Sequence, residues 1–252
     1  IVVANTGTSG VSYTNTGLSP GTTYSYTVAA INGAGAGDQS NSASGGTDAV
    51  IPDAPTSLTA AAGPTPSSEI ALSWTAPAYT GGAAVSGYQI TENRAGAGDV
   101  VIVGNTGTNA TTYTATGLDR VTSYAYKVAA INAAGIGSDC TPVSLTTSPE
   151  VPGAPGTLAL SAGSPSQTNI LLTWSAPSDN GGGALIGYRI KKDGSTIVAD
   201  TGNTNTNYTA TGLTRYTEYN FNVAAINSRG TGSDGNTPSL YTDPEQCAAP
   251  TI

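Results

Sequence analysis

The sequence predicts an all-β protein built from tandem β-sandwiches, and three observations predict it. The segment VAAIN occurs three times, at Val28–Asn32, Val128–Asn132 and Val223–Asn227. Runs such as Glu69–Pro77 alternate apolar and polar residues with a period of two, which is typical of half-buried strands. Gly-rich stretches such as TGG and NGGG mark turns between these runs, and no window shows a helical period.

The repeat has a period of roughly 100 residues, which is the size of a whole domain rather than of a solenoid repeat. Pro-containing linkers separate the copies, with VIPDAP at Val50–Pro55, EVPGAP at Glu150–Pro155 and EQCAAP at Glu245–Pro250. The predicted domains are residues 1–52 (the C-terminal half of a domain), 53–152, 153–247 and 248–252 (the start of a further domain).

A second set of spaced residues recurs in both complete domains. One series follows W-x2-P-x3-GG-x4-GY: Trp74, Pro77, Gly81, Gly82, Gly87 and Tyr88, then Trp174, Pro177, Gly181, Gly182, Gly187 and Tyr188. Another series is Gly117, Leu118, Tyr124, Tyr126, Val128, Ala130 and Asn132, then Gly212, Leu213, Tyr219, Phe221, Val223, Ala225 and Asn227. These series make each domain resemble a fibronectin type III domain. The resemblance implies tandem seven-stranded immunoglobulin-like β-sandwiches, of which the first is incomplete.

The candidate site residues of the domains are structural. Trp74 and Trp174 occur once in each complete domain and are predicted to centre its core, with Tyr88 and Tyr188 beside them. The resemblance further implies that three tyrosines form the tyrosine corner of each domain. These are Tyr24, Tyr124 and Tyr219.

The first domain is predicted to supply only strands C′, E, F and G, because Tyr13 aligns with Tyr113 and nothing in it matches Asp53–Val100. The inward face of its strand F would then lie open to water. We therefore expect the chain to be a window of a longer array, in which further residues complete this sandwich.

Composition excludes several classes of function. The chain has no His, which removes His-based catalysis and the commonest metal ligand. Asp139, Asp179 and Asp234 are predicted to cap turns, and the Gly-rich loops lack the GK[ST] of a phosphate loop. The sequence therefore predicts no enzyme activity, no cofactor and no metal.

The charge pattern also bears on partners. Net charge is −8 and the 8 Lys and Arg residues are scattered, which argues against nucleic acid as a partner. No apolar run reaches the ~18 residues that a membrane span needs, so we expect no membrane insertion in this segment.

Three surface positions are further candidates. Asn109 and Asn207 begin N-x-T sequons, which matter only where the source glycosylates Asn. Arg229 lies in the predicted F–G loop, where members of the resembled family often hold binding residues, although a solvated loop charge is the simpler interpretation.

The two cysteines are predicted not to pair with each other. Cys140 is expected at one pole of the second domain and Cys247 at the far pole of the third, well beyond the ~7 Å between Cα atoms that a disulfide allows. Whether either thiol is free or bonded to another chain stays open.

The sequence thus predicts a non-catalytic structural or adhesive array, extracellular or at a cell surface, that serves as a spacer or fibre-forming segment. Its expected partners are neighbouring domains, other copies of the chain, or a glycan or surface protein, and short Pro-flanked linkers predict a rod. Two alternatives remain: accessory modules of a secreted polysaccharide-degrading enzyme, and a glycan- or protein-binding adhesin. The low Lys and Arg content resembles prokaryotic members.

Overall fold

A computed structural model describes residues 2–244 of the chain. The chain forms two compact units, the first of Ile1–Leu118 with Thr122–Thr147 and the second of Asp119–Val121 with Ser148–Ile252. The described residues form one hydrophobic core cluster in the first unit and one in the second.

Strands make up all the regular structure of residues 2–244, without any helix. The first domain contains β1 (Thr23–Tyr26), β2 (Ile31–Asn32), β3 (Gly35–Ala36) and β4 (Ala43–Gly46). The second contains β5 (Thr56–Ala62), β6 (Ile70–Thr75), β7 (Gly87–Arg94), β8 (Asp99–Val103), β9 (Thr112–Ala115), β10 (Ser123–Asn132), β11 (Gly135–Asp139) and β12 (Val143–Thr146). The third contains β13 (Ala159–Ala162), β14 (Ile170–Thr173), β15 (Leu185–Lys192), β16 (Ser195–Val198), β17 (Asn207–Ala210), β18 (Glu218–Asn227), β19 (Gly230–Asp234) and β20 (Ser239–Tyr241).

The second domain is a sandwich of two antiparallel sheets. One sheet has the order β5–β6–β9, and the other has the order β11–β10–β7–β8, with β12 also paired to β10. β11 and β12 are two parts of one edge strand, which is interrupted where Pro142 removes a backbone donor. Counted as one strand, they complete a seven-stranded immunoglobulin-like sandwich.

The period-two pattern of β6 and β10 explains the core of this sandwich. Ile70, Leu72 and Trp74 of β6 are buried, and the residues between them are not. β10 buries Tyr124, Tyr126 and every residue from Val128 to Asn132. The C-terminal half of β10 is therefore covered on both faces.

The third domain has the same topology, with sheets β13–β14–β17 and β16–β15–β18–β19 and with β20 paired to β18. It differs in the connection between its third and fourth strands. Asp193 and Gly194 both have positive φ, 50° and 80°, and they join β15 to β16 as a two-residue hairpin turn. The longer connection in the second domain spans Ala95–Gly98.

The first domain departs from the sequence prediction. β1 pairs with β4 and β2 pairs with β3, as the predicted F and G strands should. Residues 2–22 form no strand, so the predicted C′ and E strands are wrong for the described residues. In the second domain those strands pair with β7 and β6, and residues 2–52 form no strands equivalent to β6 and β7.

Candidate functional site: the linker cradle

The linker in front of the second domain lies against that domain. The backbone N–H of Val50 donates to the carbonyl of Gly81 at 2.9 Å, and the N–H of Asp53 donates to the carbonyl of Tyr79 at 3.0 Å. Pro52 is buried. The linker is thus paired with the loop between β6 and β7 rather than solvated.

The side chain of Asn132, at the end of β10, completes this arrangement. Asn132 is 4% exposed. Its Nδ2 donates to the carbonyl of Val50 at 2.7 Å and to that of Thr80 at 2.8 Å, and its Oδ1 accepts from the N–H of Ala134 at 2.8 Å. One amide therefore joins the linker, the β6–β7 loop and the β10–β11 turn, with both its donors in use.

The linker in front of the third domain is bound in the same way. The N–H of Glu150 donates to the carbonyl of Gly181 at 2.8 Å, and the N–H of Gly153 donates to that of Asp179 at 2.8 Å. Pro152 is buried, as Pro52 is. The bonding pattern repeats although most of the linker side chains differ.

Asn227, at the end of β18, has the role that Asn132 has in the second domain. It is 1% exposed. Its Nδ2 donates to the carbonyl of Glu150 at 2.7 Å and to that of Asn180 at 2.9 Å, while its Oδ1 accepts from the N–H of Arg229 at 2.8 Å. The third VAAIN segment thus ends on the same kind of three-way contact.

Glycine is required where the linker approaches most closely. Gly81 and Gly181 have φ of +76° and +73°, a conformation that disfavours any side chain. A Cβ at either position would also overlap the carbonyl oxygen of the linker residue bonded there, Val50 or Glu150. These two glycines of the GG motif therefore serve linker contact as well as the turn.

A second glycine flanks each linker from the other side. A Cβ on Gly137 would overlap the carbonyl oxygen of Pro52, and one on Gly232 would overlap that of Pro152. We call the set of Gly81, Asn132 and Gly137, and its equivalent Gly181, Asn227 and Gly232, the linker cradle of each complete domain.

The predicted core aromatics lie away from the cradle, inside the sandwiches. Trp74 packs edge to face on Tyr88 with ring centroids 5.0 Å apart, and Trp174 packs on Tyr188 at 5.1 Å. Both tryptophans are 6% exposed and both tyrosines are fully buried. None of the four side chains reaches solvent in a way that would serve a ligand.

The three tyrosines predicted as corners differ in their burial. Tyr219 is 7% exposed and its hydroxyl accepts from the N–H of Thr214 at 2.9 Å. Tyr124 is 2% exposed, and burial raises the pKa of its phenol. Tyr24 accepts from the N–H of Ser19 at 2.9 Å, yet it is only half-buried, because no second sheet formed by the described residues covers it.

Cys140 has a free, buried thiol between β11 and β12. Its Sγ accepts from the N–H of Val128 at 3.3 Å, and burial raises the pKa of the thiol. The thiol is therefore held in its unreactive protonated form. Cys247 lies outside the described residues, so the absence of a Cys140–Cys247 bond stays a prediction.

A charged cluster lies on the outer face of the third domain. Asp234 accepts from Arg189 at 2.8 Å and from Lys191 at 2.7 Å. Burial pushes the pKa of Asp234 upward, but the hydrogen bonds from Lys191 and Arg189 outweigh it and hold that pKa below its ordinary value. The second domain has a different ion pair, between Lys127 and Asp99.

The second domain has a surface hollow beside the end of β7. This hollow of about 250 Å³ is lined by Glu92, Arg94 and Tyr124 among others. The residue that corresponds to Glu92 in the third domain is Lys192, whose ammonium lies 4.7 Å from the ring centroid of Tyr219. The two positions carry opposite charge, so the domains do not share a ligand site there.

The remaining surface candidates are exposed. Asn109 lies in the β8–β9 loop and Asn207 begins β17. Arg229 is exposed in the β18–β19 turn, where its backbone rather than its side chain contributes to the cradle. The sequence did not single out the exposed pair of Tyr216 and Tyr241, whose ring centroids are 6.3 Å apart.

Residues 2–244 contain neither a cluster of metal ligands nor a membrane-spanning helix. No group of three or more His, Cys, Asp or Glu side chains in this range is placed to hold a metal ion. The same range has no helix with the length and hydrophobicity of a membrane span.

Comparison with known families agrees with this geometry. The family model of the fibronectin type III domain matches residues 2–45, 53–146 and 153–240, which is most of the chain. The chain therefore belongs to the fibronectin type III family, as a tandem array of its domains.

Relatives come from two kinds of protein. The chain is 34% identical to exoglucanase B of Cellulomonas fimi over 87% of its own length and 20% of that protein. It is 34% identical to endoglucanase B of Cellulomonas fimi over 68% of its length and 16% of that protein. Human neogenin is 36% identical over 44% of the chain and 8% of neogenin. The chain thus spans at most about a fifth of these three relatives.

Solved structures of tandem domains are also similar. A two-domain fibronectin type III segment of chicken tenascin matches 75% of this chain and all of that segment, with 19% identity and a TM-score of 0.36. Domains FN1–FN3 of chicken CNTN1 match 90% of this chain and 77% of theirs, with 19% identity and a TM-score of 0.36.

Proposed function

We propose that the chain is a non-catalytic spacer: a series of fibronectin type III modules that separates other parts of a longer secreted or surface-attached protein. The observation that carries the proposal is what the two complete domains share. Their linker cradles repeat residue by residue, and their cores repeat except at positions such as Tyr126, which is Phe221 in the third domain, whereas the ion pairs on their surfaces do not repeat. A spacer needs defined domains and defined joints, and a repeated ligand site would need a repeated surface.

The chemistry of the described residues supports a non-catalytic role. The chain has no His. The carboxylate of Asp234 is neutralised by Arg189 and Lys191, and the Cys140 thiol is buried. No nucleophile is thus paired with a general base among these groups.

A second candidate function is favoured by the relatives. Exoglucanase B and endoglucanase B are named for activity on glucans, and each aligns with this chain over a minor part of its length. In that case the chain would be the accessory modules of a polysaccharide-degrading enzyme, and it would still separate a catalytic domain from another part. An adhesive array, with a glycan or surface protein as partner, is a third form of the proposal.

Co-sedimentation with insoluble cellulose and chitin tests the spacer proposal. We expect the chain to stay in the supernatant, because its surface features are not repeated. Retention on either polymer would overturn the spacer proposal in favour of a binding module. The double variant Tyr216→Ser, Tyr241→Ser would then show whether the exposed tyrosine pair binds the sugar, and Tyr13→Ser is the matched control on another exposed ring.

The accessory-module alternative needs the full-length protein that carries the chain. If a catalytic domain accompanies it, deleting residues 53–243 should lower hydrolysis of an insoluble polysaccharide while hydrolysis of a soluble one is unchanged. Equal losses on both substrates would argue for a structural effect on the catalytic domain instead.

A further inference from the structure

We propose that the linker cradle is a binding surface for an extended four-residue segment with proline at its third position, and that its occupant is the chain's own preceding linker. The linker is then a structural part of the domain that follows it, latched by Asn132 or Asn227. This inference concerns the joints alone and stands whether the array is a spacer, an accessory region or an adhesin.

The backbone bonds of each linker segment, Val50–Asp53 and Glu150–Gly153, are directed forward, whereas the side chain of Glu150 is paired with Arg120. Val50 uses both its N–H and its carbonyl in contacts with the second domain, and Glu150 does the same with the third. The division of the chain into units agrees, because Ser148–Pro152 belongs to the unit of the third domain and not to that of the second.

The cradle recognises the main chain and the proline rather than the other side chains. The two linkers read Val50-Ile51-Pro52-Asp53 and Glu150-Val151-Pro152-Gly153, so only the proline is common. The side chains of Ile51 and Val151 are 48% and 45% exposed, while the prolines are buried. An extended segment with proline at its third position is therefore the ligand class, and the proline preorganises it.

The asparagine acts as a positioning residue. It is buried in both complete domains and has two donors that bridge the linker to the loop behind it. The equivalent Asn32 of the first domain makes the same turn bond, from Ala34 at 2.8 Å, but it is exposed. The turn therefore needs the asparagine even where no linker is bound, and the linker makes use of the amide donors that remain.

Amide hydrogen exchange of the full chain, resolved by NMR, tests the proposal. We expect the amides of Val50, Asp53, Glu150 and Gly153 to exchange as slowly as strand amides of the following domain. Asn227→Ala should speed exchange at Glu150 and Gly153 about tenfold or more, because two bonds to the linker and its loop are lost. Asn32→Ala, the matched control, should leave all four rates unchanged.

A second pair of variants distinguishes release of the linker from unfolding of the whole domain. Gly137→Ala places a methyl group against the Pro52 carbonyl without a positive-φ penalty, so it should expel the linker while Asn132 stays. Exchange at Val50 and Asp53 should rise about tenfold while strand amides of β10 do not change. The matched Gly37→Ala meets nothing closer than 3.6 Å and should have no effect.

A further control separates the latch from the stability of the third domain. Asn236 bonds to both backbone groups of Leu158, so Asn236→Ala should destabilise that domain without freeing its linker selectively. Linker amides that exchange at unprotected rates in the wild type, or that do not respond to Asn227→Ala or Gly137→Ala, would overturn the proposal. Neither outcome bears on polysaccharide retention, so the spacer proposal is judged separately.

Discussion

The first and second domains contain the same strand-F residues in different surroundings. Val28 is 72% exposed, whereas its counterpart Val128 is fully buried. Both domains keep the ladder between strands F and G, with Tyr24 opposite Gly45 and Tyr124 opposite Leu145. The hydrogen bonds between strands F and G therefore form in both domains. Burial of the strand-F side chains depends on a second sheet, which the second domain has and the described residues of the first do not form.

The largest expected difference concerns these valines. Val128→Ala should destabilise the second domain by about 2–3 kcal/mol, because it removes buried methyl groups and leaves a cavity. Val28→Ala should change the free energy of unfolding by less than about 0.5 kcal/mol, as for other exposed positions. Denaturant unfolding followed by Trp74 fluorescence, in a Trp174→Phe background, measures the effect of Val128→Ala, and hydrogen exchange of the β1 amides measures the effect of Val28→Ala. Equal effects would mean that Val28 is buried in solution.

The tyrosine corners should differ less. Tyr219→Phe leaves the part-buried N–H of Thr214 without its acceptor, at a cost of about 1–3 kcal/mol. Tyr24→Phe removes the equivalent acceptor of Ser19 from an exposed bond, where water can replace it, so the effect should be near zero. Calorimetry of the two variants beside the wild type distinguishes them. A Tyr219→Phe chain with unchanged melting would contradict a stabilising corner.

The smallest expected effect is the pH dependence of stability that Asp234 gives to the third domain. The pKa of Asp234 is lower in the folded than in the unfolded state, so its contribution to stability is present above about pH 4 and is lost as pH falls through the folded pKa. Asp234→Asn should therefore flatten the acid limb of the melting temperature against pH, and Lys191→Gln should flatten it partly. An acid limb that is the same in all three chains would show that the cluster contributes nothing measurable.

The sequence predicted the sandwiches because the pattern that indicates each strand lies within the residues of that strand. Ile70, Leu72 and Trp74 alternate with polar or small residues, and that pattern needs no knowledge of distant partners. The C′ and E strands of the first domain were predicted in another way, from the alignment of Tyr13 with Tyr113, and that prediction was wrong for the described residues. A repeat of the sequence indicates a strand, but a strand forms only when a neighbouring strand completes its ladder.

The linker cradle lay beyond sequence reasoning. Asn132 stands in the repeated motif, yet its partner Val50 lies 82 residues earlier in the chain. Nothing local to either residue signals the contact. The one available hint was that the VAAIN segment ends on asparagine in every copy, although a strand that ends at a turn explains this by itself. The paired glycines were likewise interpreted as turn residues only.

The main-chain character of the linker contacts bears on how arrays of this kind can diversify. Val50 and Glu150 differ in size, polarity and charge, yet they make the same bonds at the same place. The joint depends on backbone atoms and one proline of the linker. A new neighbouring domain can therefore be joined there without compensating substitutions at the other linker positions. Domains can then be duplicated, deleted or exchanged as units, provided that each keeps its own cradle and the four-residue linker segment in front of the domain. The outer faces of the domains can change independently of these joints.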